Sequence, residues 1–307
     1  MSSATQASQA SAAAASFSQD KYRFFHALRP FSLVVALTSA GLGIVLGWPH
    51  AQAPWLLAAL ILIASLLLQA GVNLINDYGD RHQLDARFPQ VGVQTRAALS
   101  QSIRFNFYAG LVCIFLATLL GIFLAALSGI TLLWIGVIGL AGALFYTLEP
   151  INYKQRGLGV ISVFWLMGVL MVLGAYFVMS QHLNWQVLWQ AIPLSCLTSL
   201  LLLSNELRDY ERDLCEGQYT LSVRLGYHKG VFLYYLLCGL TFISTLILAL
   251  QAWLPYAPLL LLSLLALPAP LKLLHAPPQQ RLALTPLTGR LQAIYGGLSL
   301  LCYGLSL

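Results

Sequence analysis

The sequence predicts an all-α, polytopic membrane protein of about nine transmembrane helices around a central cavity, with two Asp-rich motifs on its cytoplasmic side. Three observations carry this. Of 307 residues, 59% are hydrophobic and only 8% charged, against roughly a quarter charged in a soluble domain. Apolar runs of about twenty residues, each able to cross a hydrocarbon core of roughly 30 Å, recur along the chain. Barrel strands are about ten residues of alternating pattern, so these runs read as helices. Finally, every Lys and Arg falls in alternate connections, on one side of the membrane.

Residues 1–20 are mostly Ala, Ser and Gln with a single Asp, without the basic start and apolar block of a signal peptide. They read as a disordered tail, ahead of one nine-helix domain over 21–307. The nine runs lie at about 28–48, 54–76, 104–126, 129–148, 158–180, 187–207, 229–250, 253–273 and 288–306. On that frame Lys21, Arg23 and Arg29 precede or open the first run; Arg81, Arg87, Arg96 and Arg104 lie between the second and third. Lys154 and Arg156 lie between the fourth and fifth; Arg208, Arg212, Arg224 and Lys229 between the sixth and seventh. Lys272, Arg281 and Arg290 border the last link. The positive-inside rule makes this side cytoplasmic, with the N-terminus and the charge-bearing loops inside. The expected location is the cell inner (plasma) membrane. Topology and anionic lipid account for the net charge of +6, and no nucleic-acid partner is expected. Five cysteines show no metal spacing; four sit inside runs, where a thiol acts as a small apolar group.

The ten acids obey the same partition, which topology does not require, because Asp and Glu contribute little to it. Between runs two and three the chain reads NLINDYGDRHQLD (73–85); between six and seven it reads NELRDYERDLCEGQYTLSVRLG (205–226). Aligned on the first Asn, the two share N-x-x-x-D-Y: Asn73 with Asn205, Asp77 with Asp209, Tyr78 with Tyr210. Residues three and four apart share a helix face, so Asn73, Asp77 and Asp80 can converge, as can Asn205, Asp209 and Asp213. Asp85 would come from the loop. The pair looks like a weak internal repeat placing two clusters across one cavity. Such carboxylates are costly unpaired at a membrane face, and divalent cations remove that cost. Oxygen-only donors suit Mg²⁺, which takes phosphate oxygens as its remaining ligands. Arg96, Lys154, Arg156, Arg208 and Arg212 lie on the same side and could complete an anion site. The competing reading is ordinary polar loops, with Asp and Asn capping helices and pairing with Arg; two clusters in one register weigh against it. His82, His26 and His228 get no role, and Glu206 and Glu211 are expected to point away from the Asp209/Asp213 face.

These motifs resemble those of the UbiA superfamily of intramembrane prenyltransferases, and the resemblance runs from about Ala27 along nearly the whole chain. NLINDYGD resembles that family's first Asp-rich motif. The 205–226 segment is very similar to the second, with D-x-x-x-D on Asp209 and Asp213 and G-x-x-T-L-x-V-x-L-G on Gly217, Thr220, Leu221, Val223, Leu225 and Gly226. LRP (28–30) resembles the opening of the family's first helix. FYTLEPINYKQRGLG (145–159) and VGVQTRAALSQ (91–101) look like the dihydroxynaphthoate polyprenyltransferase, or menaquinone, branch, with Arg96 at the branch's arginine. The chain departs from the pattern at Arg81, four after Asp77 where an Asp is common, and at Gln218, where Lys or Arg is usual.

The resemblance implies a Mg²⁺-dependent aromatic prenyltransferase. Its substrates would be an allylic polyprenyl diphosphate and an aromatic acid, most closely 1,4-dihydroxy-2-naphthoate. Asn73, Asp77, Asp80, Asn205, Asp209 and Asp213, with Asp85, would position the metal. Arg96, Lys154, Arg156 and Arg208 would stabilise the leaving diphosphate, and Tyr146 and Tyr153 would line the acceptor site. Another aromatic acceptor (4-hydroxybenzoate, homogentisate or a chlorin-type ring) is the alternative within the class. A secondary transporter is the alternative outside it, since repeats and membrane acids also mark transporters; transporters place these groups near the midplane, whereas here they gather at one face. Oligomeric state is not readable.

Overall fold

The computed structural model describes residues 20–78, 92–146 and 150–307. Residues 1–19 of the expected tail, and Asp80, Arg81, Asp85 and Glu149, lie outside the described residues. Among the described residues there are helices, turns and no strand. In order they are α1 Phe24–Ala27, α2 Pro30–Gly47, α3 Pro54–Asn76, α4 Val93–Ser128 and α5 Ile130–Leu144. Then come α6 Gly159–Ser180, α7 Trp185–Arg208, α8 Tyr210–Cys215, α9 Leu221–Leu225 and α10 Tyr227–Leu250. The last are α11 Ala257–Leu273 and α12 Leu284–Gly304.

Among the described residues each of the nine apolar runs is largely helical, while length and composition do not by themselves confirm nine spans. Six helices among the described residues are long and apolar enough to cross a membrane: α2 with the turn after it, α3, α4, α6, α7 and α10. The 15 residues of α5 rise only about 22 Å at 1.5 Å each. The first half of α12 carries Thr285, Thr288, Arg290 and Gln292, too polar for an isolated span. α4 begins at Val93, not near 104, because its amphipathic first turns bury Leu99 and Ile103 beneath the amino-terminal arm.

Close packing comes from small residues, since lipid is as apolar as Leu and dispersion between near backbones must hold the helices. α3 and α4 meet where Gly71 faces Gly110. A methyl group on Gly110 would stand 2.8 Å from Ile75 Cγ1 and 2.9 Å from the Gly71 carbonyl. α6 meets α7 where Gly168 lies on Ser195. The most enclosed helix is α7, packed by α6, α10 and α12, with Leu194, Leu197, Leu200 and Leu203 fully buried. Within α6, residues Phe164–Leu170 widen to a π-helical segment, a local form frequent beside functional sites. Its Leu166, Met167 and Leu170 face the internal cavities.

Candidate active site

α3 delivers the first motif. Its last residue is Asn76 and Asp77 caps it, only 1% exposed. One turn earlier Asn73 ties α3 to the start of α2: its amide donates to the Leu28 carbonyl at 2.8 Å and to Ser32 Oγ at 2.7 Å, and its Oδ1 accepts from Gln69 at 3.2 Å. Asn73 thus shares the motif's face, with its polar atoms engaged in fixing α2. The result is the placement of Arg29. This residue stands before Pro30 with φ 50° and ψ 71°, although proline favours extended backbone in the residue ahead of it. Such conformations cost of order 1 kcal/mol and concentrate at functional sites. The strained backbone turns the guanidinium back onto α3, where Nη2 lies 3.0 Å from Asp77 Oδ1. Asn76, with its amide oxygen toward the guanidinium, accepts from Nη1 and Nη2 at 2.8 Å each. Lys21 Nζ lies 3.2 Å from the same Asp77 oxygen. Asp77 Oδ2 is buried with no partner among the described residues.

The second motif follows the C-terminus of α7. Asn205 lines the cavity, and its Oδ1 is buried with no partner among the described residues. Arg208 grips Asp209 with two bonds, Nε to Oδ1 at 2.9 Å and Nη2 to Oδ2 at 2.6 Å, and Arg212 reaches the same Oδ2 at 2.7 Å. Burial would raise the Asp209 carboxyl, but these guanidiniums outweigh it and hold it below the usual carboxylate value. Asp213 is pushed the other way, up to about 6, by burial and then by the Asp209 charge. A buried Arg281 holds this end of the molecule together: it pairs with Glu211 at 2.8 and 3.2 Å and donates to the Leu207 and Ala276 carbonyls. Its guanidinium also lies 4.2 Å over the Tyr227 ring.

Between the motifs lies a cavity of about 150 Å³, walled by α2, α3, α5, α6 and α7. Arg29, Asn73, Asn76, Tyr146, Tyr153 and Asn205 supply much of its polar lining. The two tyrosines meet edge to face, centroids 5.6 Å apart. They are brought together by backbone pairing, Tyr153 N–H to the Phe145 carbonyl and Lys154 N–H to the Tyr146 carbonyl. Burial pushes the Tyr153 phenol up to about 12, so it stays a donor at neutral pH. Below opens an apolar chamber of about 320 Å³ between α3, α4, α5 and α6, sharing Leu68, Gly139, Leu166 and Met171 with the upper cavity.

Other expected residues fall as follows. Lys154 is half-buried, within electrostatic reach of Asp213. Arg96 sits partly buried in the first turn of α4. Arg156 is exposed and donates to the Pro150 carbonyl; it is not brought into the cavity. Asp80 and Asp85 lie outside the described residues. Glu211 does turn away, to Arg281. Glu206 does not: its Oε2 accepts the Ser222 N–H at 2.9 Å, and it lies beside Gly159 within electrostatic reach of Asp213. It is three residues before Asp209, a same-face spacing that was the available signal. Lys21 and Arg29, which sequence reasoning used only for topology and the LRP resemblance, are site residues by position.

Among the described residues no three His, Cys, Asp or Glu side chains already form a cation cage. The buried, unpartnered Asp77 Oδ2 and Asn205 Oδ1, one from each motif, nevertheless fit a divalent cation. Both are hard oxygen donors, and buried acceptors without a partner carry a desolvation cost that a cation removes.

A profile of the UbiA prenyltransferase family matches residues 34–285. The chain belongs to the UbiA prenyltransferase family. Among its relatives, a Haemophilus influenzae 1,4-dihydroxy-2-naphthoate octaprenyltransferase is 30% identical over 250 residues, 78% of this chain and 81% of that protein. The Mycobacterium tuberculosis 1,4-dihydroxy-2-naphthoate octaprenyltransferase is 34% identical over 72% of this chain and 76% of its own. A human UbiA prenyltransferase domain-containing protein is 30% identical over 73% and 67%. The fold of this UbiA prenyltransferase is similar to that of an Archaeoglobus fulgidus UbiA homologue, with TM-score 0.63 at 17% identity over 91% of this chain and 96% of that one. The homologue bound to GPP and Mg²⁺ gives TM-score 0.60 at 17% identity over 90% and 99%. The protein is a multi-pass membrane prenyltransferase.

Proposed function

We propose that this protein transfers a polyprenyl group from an allylic polyprenyl diphosphate to 1,4-dihydroxy-2-naphthoate, a step in menaquinone biosynthesis. One observation supports the site assignment: each motif holds a buried oxygen with no partner among the described residues, Asp77 Oδ2 and Asn205 Oδ1, and Asn73, Asn76 and Asn205 of the same motifs line one cavity. The names of the bacterial relatives support the acceptor, and the homologue bound to GPP and Mg²⁺ supports the metal.

On this reading Asp77, Asn205, Asp209 and Asp213 hold Mg²⁺, with Asp80 and Asp85 as further candidates from 79–91. When bound, the metal neutralises diphosphate charge and so eases departure of the leaving group. Arg29, Lys154 and Arg208, and Arg96 from the start of α4, orient the diphosphate and stabilise the negative charge that grows as the allylic C–O bond breaks. Asn73 keeps Arg29 in place through α2. The Tyr146 and Tyr153 ring faces stabilise the allylic cation, and the Tyr153 hydroxyl orients the acceptor. A ring carbon of the acceptor attacks the cation; aromaticity returns on loss of that carbon's electrofuge (a proton, or carbon dioxide where it bears the carboxylate). The apolar chamber takes the tail, and its lining of Leu, Ile, Val and Met keeps water from the cation.

The one-sided basic residues support a cytoplasmic site in the plasma membrane, with residues 21–307 acting as one unit. The test is purified protein with Mg²⁺, radiolabelled polyprenyl diphosphate and each acceptor in turn. Prenylated naphthoate product is expected. Preference for 4-hydroxybenzoate or homogentisate would refute the acceptor, and no prenyl transfer to any acceptor would refute the reading.

A further inference from the structure

We infer that Lys21, carried on the amino-terminal arm, is an exchangeable counter-cation: it holds Asp77 in the metal-free site and moves to the diphosphate when metal and diphosphate enter together. The inference rests on the metal–diphosphate reading above.

The arm is docked, not loose. Tyr22 is 1% exposed and packs on Leu99 and Ile103 of α4, and Asn106 of α4 donates to the Tyr22 carbonyl at 2.9 Å. Two residues on, the Phe24 ring meets Phe105 edge to face at 5.9 Å. This anchoring brings Lys21 Nζ to 3.2 Å from Asp77 Oδ1, with its side chain 35% exposed above a carboxylate that is 2% exposed. Its charge also reaches Asp209 of the second motif.

Two cations therefore crowd one oxygen of Asp77 while the other has no partner among the described residues. They are not equivalent. Arg29 is fixed by a strained backbone and by both contacts to Asn76. Lys21 is a compact charge on a flexible four-carbon stem. A divalent cation on Asp77 would stand within a few ångströms of the ammonium and repel it. Diphosphate arriving with the metal gives Lys21 a new anion in the same space. Bare metal does not, so Lys21 opposes metal alone and favours metal with diphosphate.

The experiment is calorimetric or EPR-detected Mn²⁺ binding to full-length protein in nanodiscs, with and without inorganic pyrophosphate, for wild type, Lys21→Met and Lys21→Arg. Lys21→Met is expected to bind Mn²⁺ alone roughly fivefold more tightly, the effect of removing a modest competing ion pair. It should also lose about as much of the gain that pyrophosphate brings. Lys21→Arg, which keeps the charge, should behave like wild type. If Lys21→Met binds Mn²⁺ alone no tighter than wild type, or keeps the full pyrophosphate gain, the exchange is overturned while the metal–diphosphate site stands. If wild type binds no Mn²⁺ even with pyrophosphate, both the exchange and the site reading fall.

Discussion

Arg281 lies outside both motifs, yet replacing it with Met should weaken the site. The side chain is 6% exposed, and its guanidinium donates to Glu211, to the Leu207 carbonyl in the last turn of α7 and to the Ala276 carbonyl. Hydrogen bonds to charged groups contribute about 1.5–3 kcal/mol net, and the stacked Tyr227 adds of order 1 kcal/mol. Against that, the Glu211 side chain is 44% exposed and rehydrates once unpaired, so the loss falls short of the 3–5 kcal/mol typical when a charge is stranded in a core. The sum is about 3 kcal/mol, or roughly 5 °C in Tm at about 2.1 cal/mol/K of unfolding entropy per residue. The consequence for chemistry is local. Glu211 is one residue from Arg212 and two from Asp213, so a loosened α8 misplaces the second motif. We expect Arg281→Met to lower Tm by that amount and to raise the Mg²⁺ concentration needed for half-maximal turnover about tenfold. Arg281→Lys should not restore it, because one ammonium cannot reproduce the forked contact. Thermal unfolding in detergent and a Mg²⁺ titration of turnover check this. A Tm within a degree or so of wild type, with an unshifted titration, would refute the claim that Arg281 positions the motif.

Gly110→Ala should cost about 1–3 kcal/mol by overpacking: its methyl would meet Ile75 Cγ1 at 2.8 Å and the Gly71 carbonyl at 2.9 Å, and backbone cannot retreat as a side chain can. Thermal unfolding should show the loss, and metal affinity should fall with it, because Asp77 is two residues beyond Ile75. The pH dependence of metal binding should turn on Asp213. With its carboxyl raised to about 6, a proton must leave before metal binds, so affinity should fall up to tenfold per pH unit below about 6, measured by Mn²⁺ titration from pH 5 to 8. Metal-free stability should run the opposite way. A raised carboxyl contributes stability that is fully present below its unfolded value of about 3.9 and is lost as pH rises through about 6. Asp213→Asn should flatten both trends.

The apolar runs were legible because a bilayer demands them, and their order gave the fold before any contact was known. What length alone could not supply was the count of spans. α5 is short, and α12 carries polar groups that neighbouring helices engage, Gln292 Nε2 with Thr198 and Thr288 with Tyr234. The shared N-x-x-x-D-Y register singled out Asn73, Asp77, Asn205 and Asp209 as candidates, and helical spacing added Asp213, because such spacing is a local property. It gave no hint that the Asn73 amide would be engaged by Leu28 and Ser32, since that depends on where α2 begins. Lys21, Arg29 and Arg281 were invisible for the same reason. Their partners are 48 to 74 residues away or supplied by the docking of the arm, and no periodicity encodes such pairs.

The central claim is that both motifs build one metal–diphosphate site. Pulsed EPR of Mn²⁺ bound with inorganic pyrophosphate tests it most directly, through the ³¹P coupling of a phosphate on the metal. The account predicts that coupling in the wild-type protein, and its loss in Asp77→Asn and in Asp209→Asn alike. Coupling that survives intact in either variant would mean that the two motifs serve separate sites, and would contradict it.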